Sequence, residues 1–158
     1  MQYTIVNLND ILSKEENKDS YPAWLLSILN NFKCPINIEL ENFLKNNSFQ
    51  SLKLKQSVTY LVLDENGFLH GYFTLALKSL TFNKCTVSNT FFKKISRVAT
   101  LSEDGSKNTV PCYMIAQLSK NLISESRISG TEILSFAEEI ILDLQNKCGG
   151  IAEFLESE

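Results

Sequence analysis

The residues with the strongest chemical pattern are Arg127-Ile128-Ser129-Gly130-Thr131-Glu132, which join a strand-like run, Met114–Leu118, to a long amphipathic stretch. A helix that opens here leaves backbone N–H groups without partners and gathers roughly half a positive charge at its start, which suits a phosphate. Gly130 lets backbone approach a ligand with no Cβ in the way. Arg127 adds a charge-assisted contact. The same residues have a plainer use. Ser129 and Glu132 stand at the Ser-x-x-Glu spacing of a capping box, which starts a helix whether or not an anion binds.

Missing residue types bound the remaining chemistry. His70 is the single histidine, so a histidine-based triad or a multi-histidine metal site is excluded, and acid–base work falls to Glu, Asp, Tyr, Lys or water. His70 follows a turn and is expected to be exposed or satisfied at a sheet edge. Cys34, Cys85, Cys112 and Cys148 show no Cys-x-x-Cys spacing and no histidine to complete a zinc set, so no metal is expected and the thiols should be reduced and buried. Trp24, Phe32, Phe43, Phe91 and Phe92 are expected in the core, and Lys93-Lys94 with Arg97 on a solvated face. Glu103, Asp104 and Glu156 are the carboxylates to watch as a general base. None is assigned, and no catalytic residue is named.

These groups need a scaffold. The chain has 158 residues, 44% hydrophobic and 21% charged, which predicts a single domain over 1–158 with a real core and excludes a disordered or disulfide-stapled chain. A formal charge of −3 argues against nucleic acid as a partner. No apolar run approaches the roughly 18 residues that span a bilayer. The start, Met1–Asn7, lacks the basic and apolar regions of a signal peptide. A cytoplasmic enzyme or binding module is the expectation.

Periodicity orders the elements. Tyr3–Leu8 reads as a strand and Asn9–Ser20 as a polar stretch. Pro22 opens a helix carrying Trp24, Leu25, Ile28, Leu29 and Phe32, which Cys34-Pro35 ends. Asn37 caps a second helix, closed by Asn46-Asn47. Val58–Leu63 reads as a strand covered on both faces, turning at Asp64-Glu65-Asn66-Gly67 into a partner strand over 69–78. Ser88 caps a short helix, and Leu101–Thr109 reads as a mobile loop. After Met114–Leu118 and a loop over 119–128, a helix begins at the capping box. It carries Ile133, Leu134, Ala137, Ile140, Ile141 and Leu144 on one face and stops at Gly149-Gly150. Ile151–Glu156 is the last strand. The fold class is α/β or α+β.

Three stretches carry a resemblance: Tyr113–Asn121, Ile128–Ala137 and Gly149–Glu156. Together they resemble the central signature of the GNAT superfamily of N-acetyltransferases, and the hairpin Thr59–Leu63 with Gly71–Ala76 resembles the second and third strands of its bacterial members. The resemblance implies a mixed, mostly antiparallel sheet flanked by helices, ending before the family's C-terminal strands. It implies a bacterial acetyltransferase moving an acetyl group from acetyl-CoA to an amine by direct attack. The family pattern Gln/Arg-x-x-Gly-x-Gly/Ala is matched at Arg127 and Gly130, with Glu132 in place of a small residue. By analogy Arg127, Ile128, Ser129, Gly130 and Thr131 hold the pyrophosphate, and backbone groups of Leu118, Ser119 and Lys120 hold the pantetheine arm. The family's acid, a Tyr in a Phe-Tyr…Gly-Phe segment, has no counterpart here. The implied alternatives are a fragment or truncated product, or a homodimer whose second copy completes the sheet. The alternative is an impaired member that acts as a coenzyme-binding or protein-interaction module.

Overall fold

A computed structural model describes residues 2–123 and 126–156. Residues 124 and 125 of the expected 119–128 loop, Met1 and the terminal Ser157 and Glu158 lie outside the described residues. In chain order the elements are β1 (Tyr3–Asn7), α1 (Leu8–Lys14), α2 (Ala23–Asn30), α3 (Ile38–Asn42), α4 (Ser48–Lys53), β2 (Val58–Asp64), β3 (Leu69–Phe82), α5 (Asn89–Ile95), β4 (Thr100–Leu101), β5 (Asn108–Lys120), α6 (Gly130–Cys148) and β6 (Glu153–Leu155). The strands β1, β2, β3 and β5 pair antiparallel in that order. The outer edge of β5 is shared by β4 at its start and by β6, which pairs with it in parallel.

Strand alternation divides the core between the two sheet faces. Leu61 and Tyr72 point to the side of α1–α4, where Leu8, Leu25, Leu29, Phe32 and Leu44 cover them. Val62, Phe73 and Ile115 point to the other side, against Ile133, Ala137 and Ile141 of α6. The β-prone run in β2 is therefore covered on both faces, as its sequence implies. The stripe of α6 is also as expected, and its end falls at Gly149 and Gly150, whose φ values of 81° and 95° favour glycine.

The architecture departs from the sequence reading in several places. Asn9–Ser20 is not wholly irregular: Asn7 Oδ1 accepts from Asn9 N–H at 2.8 Å, and Leu8 and Leu12, one turn apart, are buried, so α1 forms. Asn46-Asn47 do not close a helix. The chain passes through a π turn over Phe43–Asn47 into α4, because Ser48 Oγ donates to Leu44 C=O at 2.7 Å and Leu44 and Leu52 both anchor in the core. Leu101–Thr109 is a hairpin rather than an irregular loop: Leu101 pairs with Asn108 across a turn over 102–107. Ser102 N–H donates to Lys107 C=O at 2.8 Å, and the Asp104 carboxylate accepts from Ser102 Oγ and from Ser106 N–H and Oγ. Cys34 and Cys112 are buried, whereas Cys85 and Cys148 are exposed. Trp24 is 52% exposed and Phe91 39%, because α2 and α5 each turn one face outward.

Candidate functional site

β5 outruns β6, and the site begins where they part. The parallel ladder pairs Tyr113–Ile115 with Glu153–Leu155, and Glu156 N–H donates the last rung to Ile115 C=O at 3.3 Å. At that point β5 carries a bulge: Thr74 pairs with Gln117 and Leu75 with Ile115, leaving Ala116 as the extra residue. A bulge bends the strand that holds it. Beyond it, Asn121 N–H donates to His70 C=O at 2.7 Å. Alternation then turns the backbone of Ser119 toward β3 and that of Leu118 and Lys120 toward the open edge.

A cavity of about 540 Å³ lies on this open side. One wall is Ala116, Gln117 and Leu118 with Leu155 and Glu156 across the gap. The other is α3 and the turn after it, through Asn37, Glu39, Leu40, Asn42, Phe43 and Asn47. That second wall is tied down. Asn37 Oδ1 caps α3 by accepting from Glu39 N–H at 3.1 Å, and Tyr72 O–H donates to Leu40 C=O at 2.6 Å. Glu41, buried, accepts from Lys45 Nζ at 2.6 Å, Cys34 N–H at 2.9 Å and Lys33 Nζ at 3.1 Å. These donors, Lys45 foremost, hold its carboxyl down at about 2.

The start of α6 sits beside the far end of β5. Ser129 Oγ accepts from Glu132 N–H at 3.1 Å, and Glu132 Oε2 accepts from Ser129 N–H at 2.8 Å and Ser129 Oγ at 2.9 Å. The capping box is complete, and the Glu132 carboxyl is held below its ordinary range by the Ser129 hydrogen bonds. The N–H groups of Gly130 and Thr131 precede the first intrahelical bonds and have no acceptor among the described residues. A Cβ on Gly130 would meet nothing within 4 Å, so neither crowding nor backbone demands glycine there.

Of the sequence-named residues, the structure brings Leu118 and Glu156 to the cavity. Lys120 lies farther along the same open edge, while the Ser119 side chain is buried and donates to Cys34 Sγ at 3.4 Å. Ile128 is a core residue against α6. Arg127 is exposed and borders a separate depression of about 530 Å³ with Asp64, Glu65 and Asn66. Glu103 and Asp104 lie in the β4–β5 turn and do not line the cavity; Asp104, held at about 2 by Ser102 and Ser106, is a poor base. His70 is not exposed: it is buried with Nε2 3.0 Å from Asp64 Oδ2. Asp64 Oδ1 also accepts from Asn66 and Phe68 N–H, so the pair locks the β2–β3 turn. Sequence reasoning missed Glu39, Asn42, Asn47 and Gln117. Their polar side chains off the apolar stripes were a signal, but their convergence depends on long-range packing.

Solved structures match the fold over nearly the whole chain. AtaT complexed with acetyl-methionyl-tRNAfMet superposes with a TM-score of 0.66 at 15% identity, over 99% of this chain and 78% of that one. A tyrosine-to-phenylalanine mutant of KacT gives 0.67 at 19% identity, over 99% and 78%. Both are GNAT-fold acetyltransferases. The fold is GNAT-like. A mutant AtaT toxin bound to the C-terminus of the antitoxin AtaR and acetyl-CoA has the same GNAT-like frame, with a TM-score of 0.61 at 16% identity over 99% and 76%. No protein-family model and no curated protein matches the chain. Among the described residues no helix is long and apolar enough to cross a membrane, and no three metal-ligating side chains converge.

Proposed function

We propose that this GNAT-like chain, acting as one domain, moves an acetyl group from acetyl-CoA to a primary amine. One observation carries the reading: the free backbone edge of β5 at Leu118 borders the cavity beside the bulge at Ala116, with Lys120 farther along the same edge. The residues fit the coenzyme. The β5 edge offers amide donors and acceptors to the pantetheine arm, and the free N–H groups of Gly130 and Thr131, with open space at Gly130, offer donors to the pyrophosphate. Arg127 supplies a cation from the same loop. Leu118, Ser119, Lys120, Arg127, Ile128, Ser129, Gly130 and Thr131 thus form the proposed coenzyme site, the Ser119 and Ile128 side chains supporting it from the core.

Acetyl-CoA, when bound, supplies an acetyl thioester. The protein's part is to hold that end in the cavity, keep the developing oxyanion near β5 N–H donors and present the amine to it. An ammonium acceptor loses one proton to solvent before attack. Its nitrogen then bonds to the acetyl carbon as the C–S bond breaks, and its second proton ends on the departing thiol. No side chain is assigned as base or acid. Four free thiols accord with a reducing, cytoplasmic setting, and β6 leaves an outer strand edge that a second copy would pair with.

A second reading is favoured by Glu132, whose carboxylate already occupies Ser129 N–H. That would make the chain an impaired, non-catalytic coenzyme or protein-binding module. Calorimetric titration with acetyl-CoA, followed by thiol release with an amine panel, separates the two. Saturable binding with turnover is the expected result. Binding without turnover supports the second reading in its coenzyme-binding form, and a folded chain that binds no acetyl-CoA sinks the acetyl-transfer reading. Light scattering on the same sample reports the dimer.

A further inference from the structure

His70 is the extra residue of a second bulge. Val62 pairs with Gly71 and Leu63 with Leu69, so His70 has no opposite number on β2. A bulge of this kind re-aims the side chain it carries. Counted back from Tyr72, alternation would set His70 under α1–α4. Its ring lies instead against Tyr3, with centroids 5.2 Å apart, and Tyr3 packs in the α6-side core and meets Phe136 of α6. The two ring nitrogens differ. Nε2 lies 3.0 Å from Asp64 Oδ2, whereas Nδ1 is buried with no partner among the described residues. A phenyl ring would fill the same space without that orphan, so packing alone does not account for a histidine here. The His70 C=O also accepts from Asn121 N–H at 2.7 Å and Ser126 Oγ at 3.2 Å, in the loop that leads to α6.

The Nε2 contact controls a carboxylate beside Arg127. Asp64 and Arg127 border one depression of about 530 Å³, yet no ion pair joins them among the described residues. Asp64 is taken up by His70 and by the N–H groups of Asn66 and Phe68. The His70 contact is foremost in holding its carboxyl below the ordinary range. Glu132 is likewise taken up by Ser129. Tyr3 registers all three charges: burial first, then the Glu132 and Asp64 carboxylates push its phenol up, and Arg127 opposes them. Glu65 borders the same depression but is exposed, where solvent screens its charge.

We propose that His70 is a positioning residue for the coenzyme: by holding Asp64 against the β2–β3 turn it keeps that carboxylate off Arg127, whose guanidinium stays available to the diphosphate. This rests on the coenzyme site assigned above. A guanidinium and a carboxylate on one rim attract each other strongly. Without the Nε2 contact, Asp64 becomes an internal competitor of the anionic ligand.

The test is calorimetric titration of the full chain with acetyl-CoA. Wild type comes first: absence of binding sinks the coenzyme reading and this proposal with it, whereas the comparisons among variants bear on the proposal alone. His70→Phe keeps an aromatic ring and loses the donor. It should weaken acetyl-CoA about tenfold, the scale of one charge-assisted contact, and in turnover raise the acetyl-CoA KM with little change in kcat. Adding Asp64→Asn to His70→Phe should restore the affinity, because the competing charge is gone. A purely structural His70 requires the reverse, a double variant weaker than either single one. Adding Glu65→Gln should restore nothing, and in an Arg127→Gln background His70→Phe should have no further effect. Urea midpoints confirm that each variant is folded, and His70→Leu repeats the series if His70→Phe does not fold. Unchanged affinity in the His70 variants, no rescue by Asp64→Asn, or equal rescue by Glu65→Gln overturns the proposal.

Discussion

Ile133 fills the space that a side chain on Gly71 would need. A Cβ there would lie 2.5 Å from Ile133 Cδ1 and 2.7 Å from Ser119 C=O. This close approach seats the first turn of α6 on β3, beside the end of β5, and so fixes the proposed pyrophosphate donors relative to the proposed pantetheine edge. Small-to-large changes in packed cores cost ~1–3 kcal/mol. Gly71→Ala should lower stability on that scale in urea denaturation and, in the fraction that stays folded, weaken acetyl-CoA binding. An unchanged coenzyme affinity would show that the seating of α6 does not govern the site.

Gly130 makes the opposite case. With nothing within 4 Å of its built Cβ, Gly130→Asp should leave the fold intact, and a carboxylate at a helix start is electrostatically welcome. It would nonetheless stand among the donors assigned to the pyrophosphate. We expect a drop of more than about tenfold in acetyl-CoA affinity by calorimetry with an unchanged unfolding midpoint. Unaltered affinity would return Arg127–Glu132 to a plain capped helix.

Glu132 carries a carboxylate where an anion should bind. Replacing it by glutamine keeps the shape and removes the charge. Glu132→Gln should tighten acetyl-CoA several-fold, by relief of repulsion near a solvated surface. It should also lower stability slightly through the weaker cap. Calorimetry and thermal melts on one preparation check both signs, and weaker coenzyme binding would reverse the argument.

Glu41 supports the cavity wall without lining it. Its carboxyl sits at about 2 in the fold against an ordinary 4.5, so its stabilisation is fully present above pH 4.5 and is lost as pH falls through about 2. Glu41→Gln should destabilise the protein by ~1–3 kcal/mol at pH 7, since the buried Cys34 N–H and the lysines lose a charged acceptor. The gap between the two proteins should narrow as pH drops from about 5 toward 2. A gap independent of pH in urea titrations would remove Glu41 from that role.

Much of the frame was legible because it is set locally. Asp64-Glu65-Asn66-Gly67 announces its turn, Ser129 and Glu132 their cap, and the stripe from Ile133 to Leu144 its helix, since each depends on residues within a turn or two. The α1 helix was missed because two leucines in a polar stretch become a core face only when β2 lies beneath them. His70 is satisfied by Asp64 at Nε2, but it is buried rather than exposed, since its burial depends on Tyr3, whose ring centroid is 5.2 Å from its own. For the site, sequence determined which groups exist to do chemistry, namely one helix start rich in free donors, carboxylates and amides, and a single histidine. Tertiary structure decided which of them meet. A one-residue bulge at Ala116 parts β5 from β6, and Glu41 ties down the wall that carries Glu39, so Glu39 and Glu156, 117 positions apart (156 less 39), line one cavity. Such convergence comes from packing between elements distant in the chain, and no local pattern encodes it.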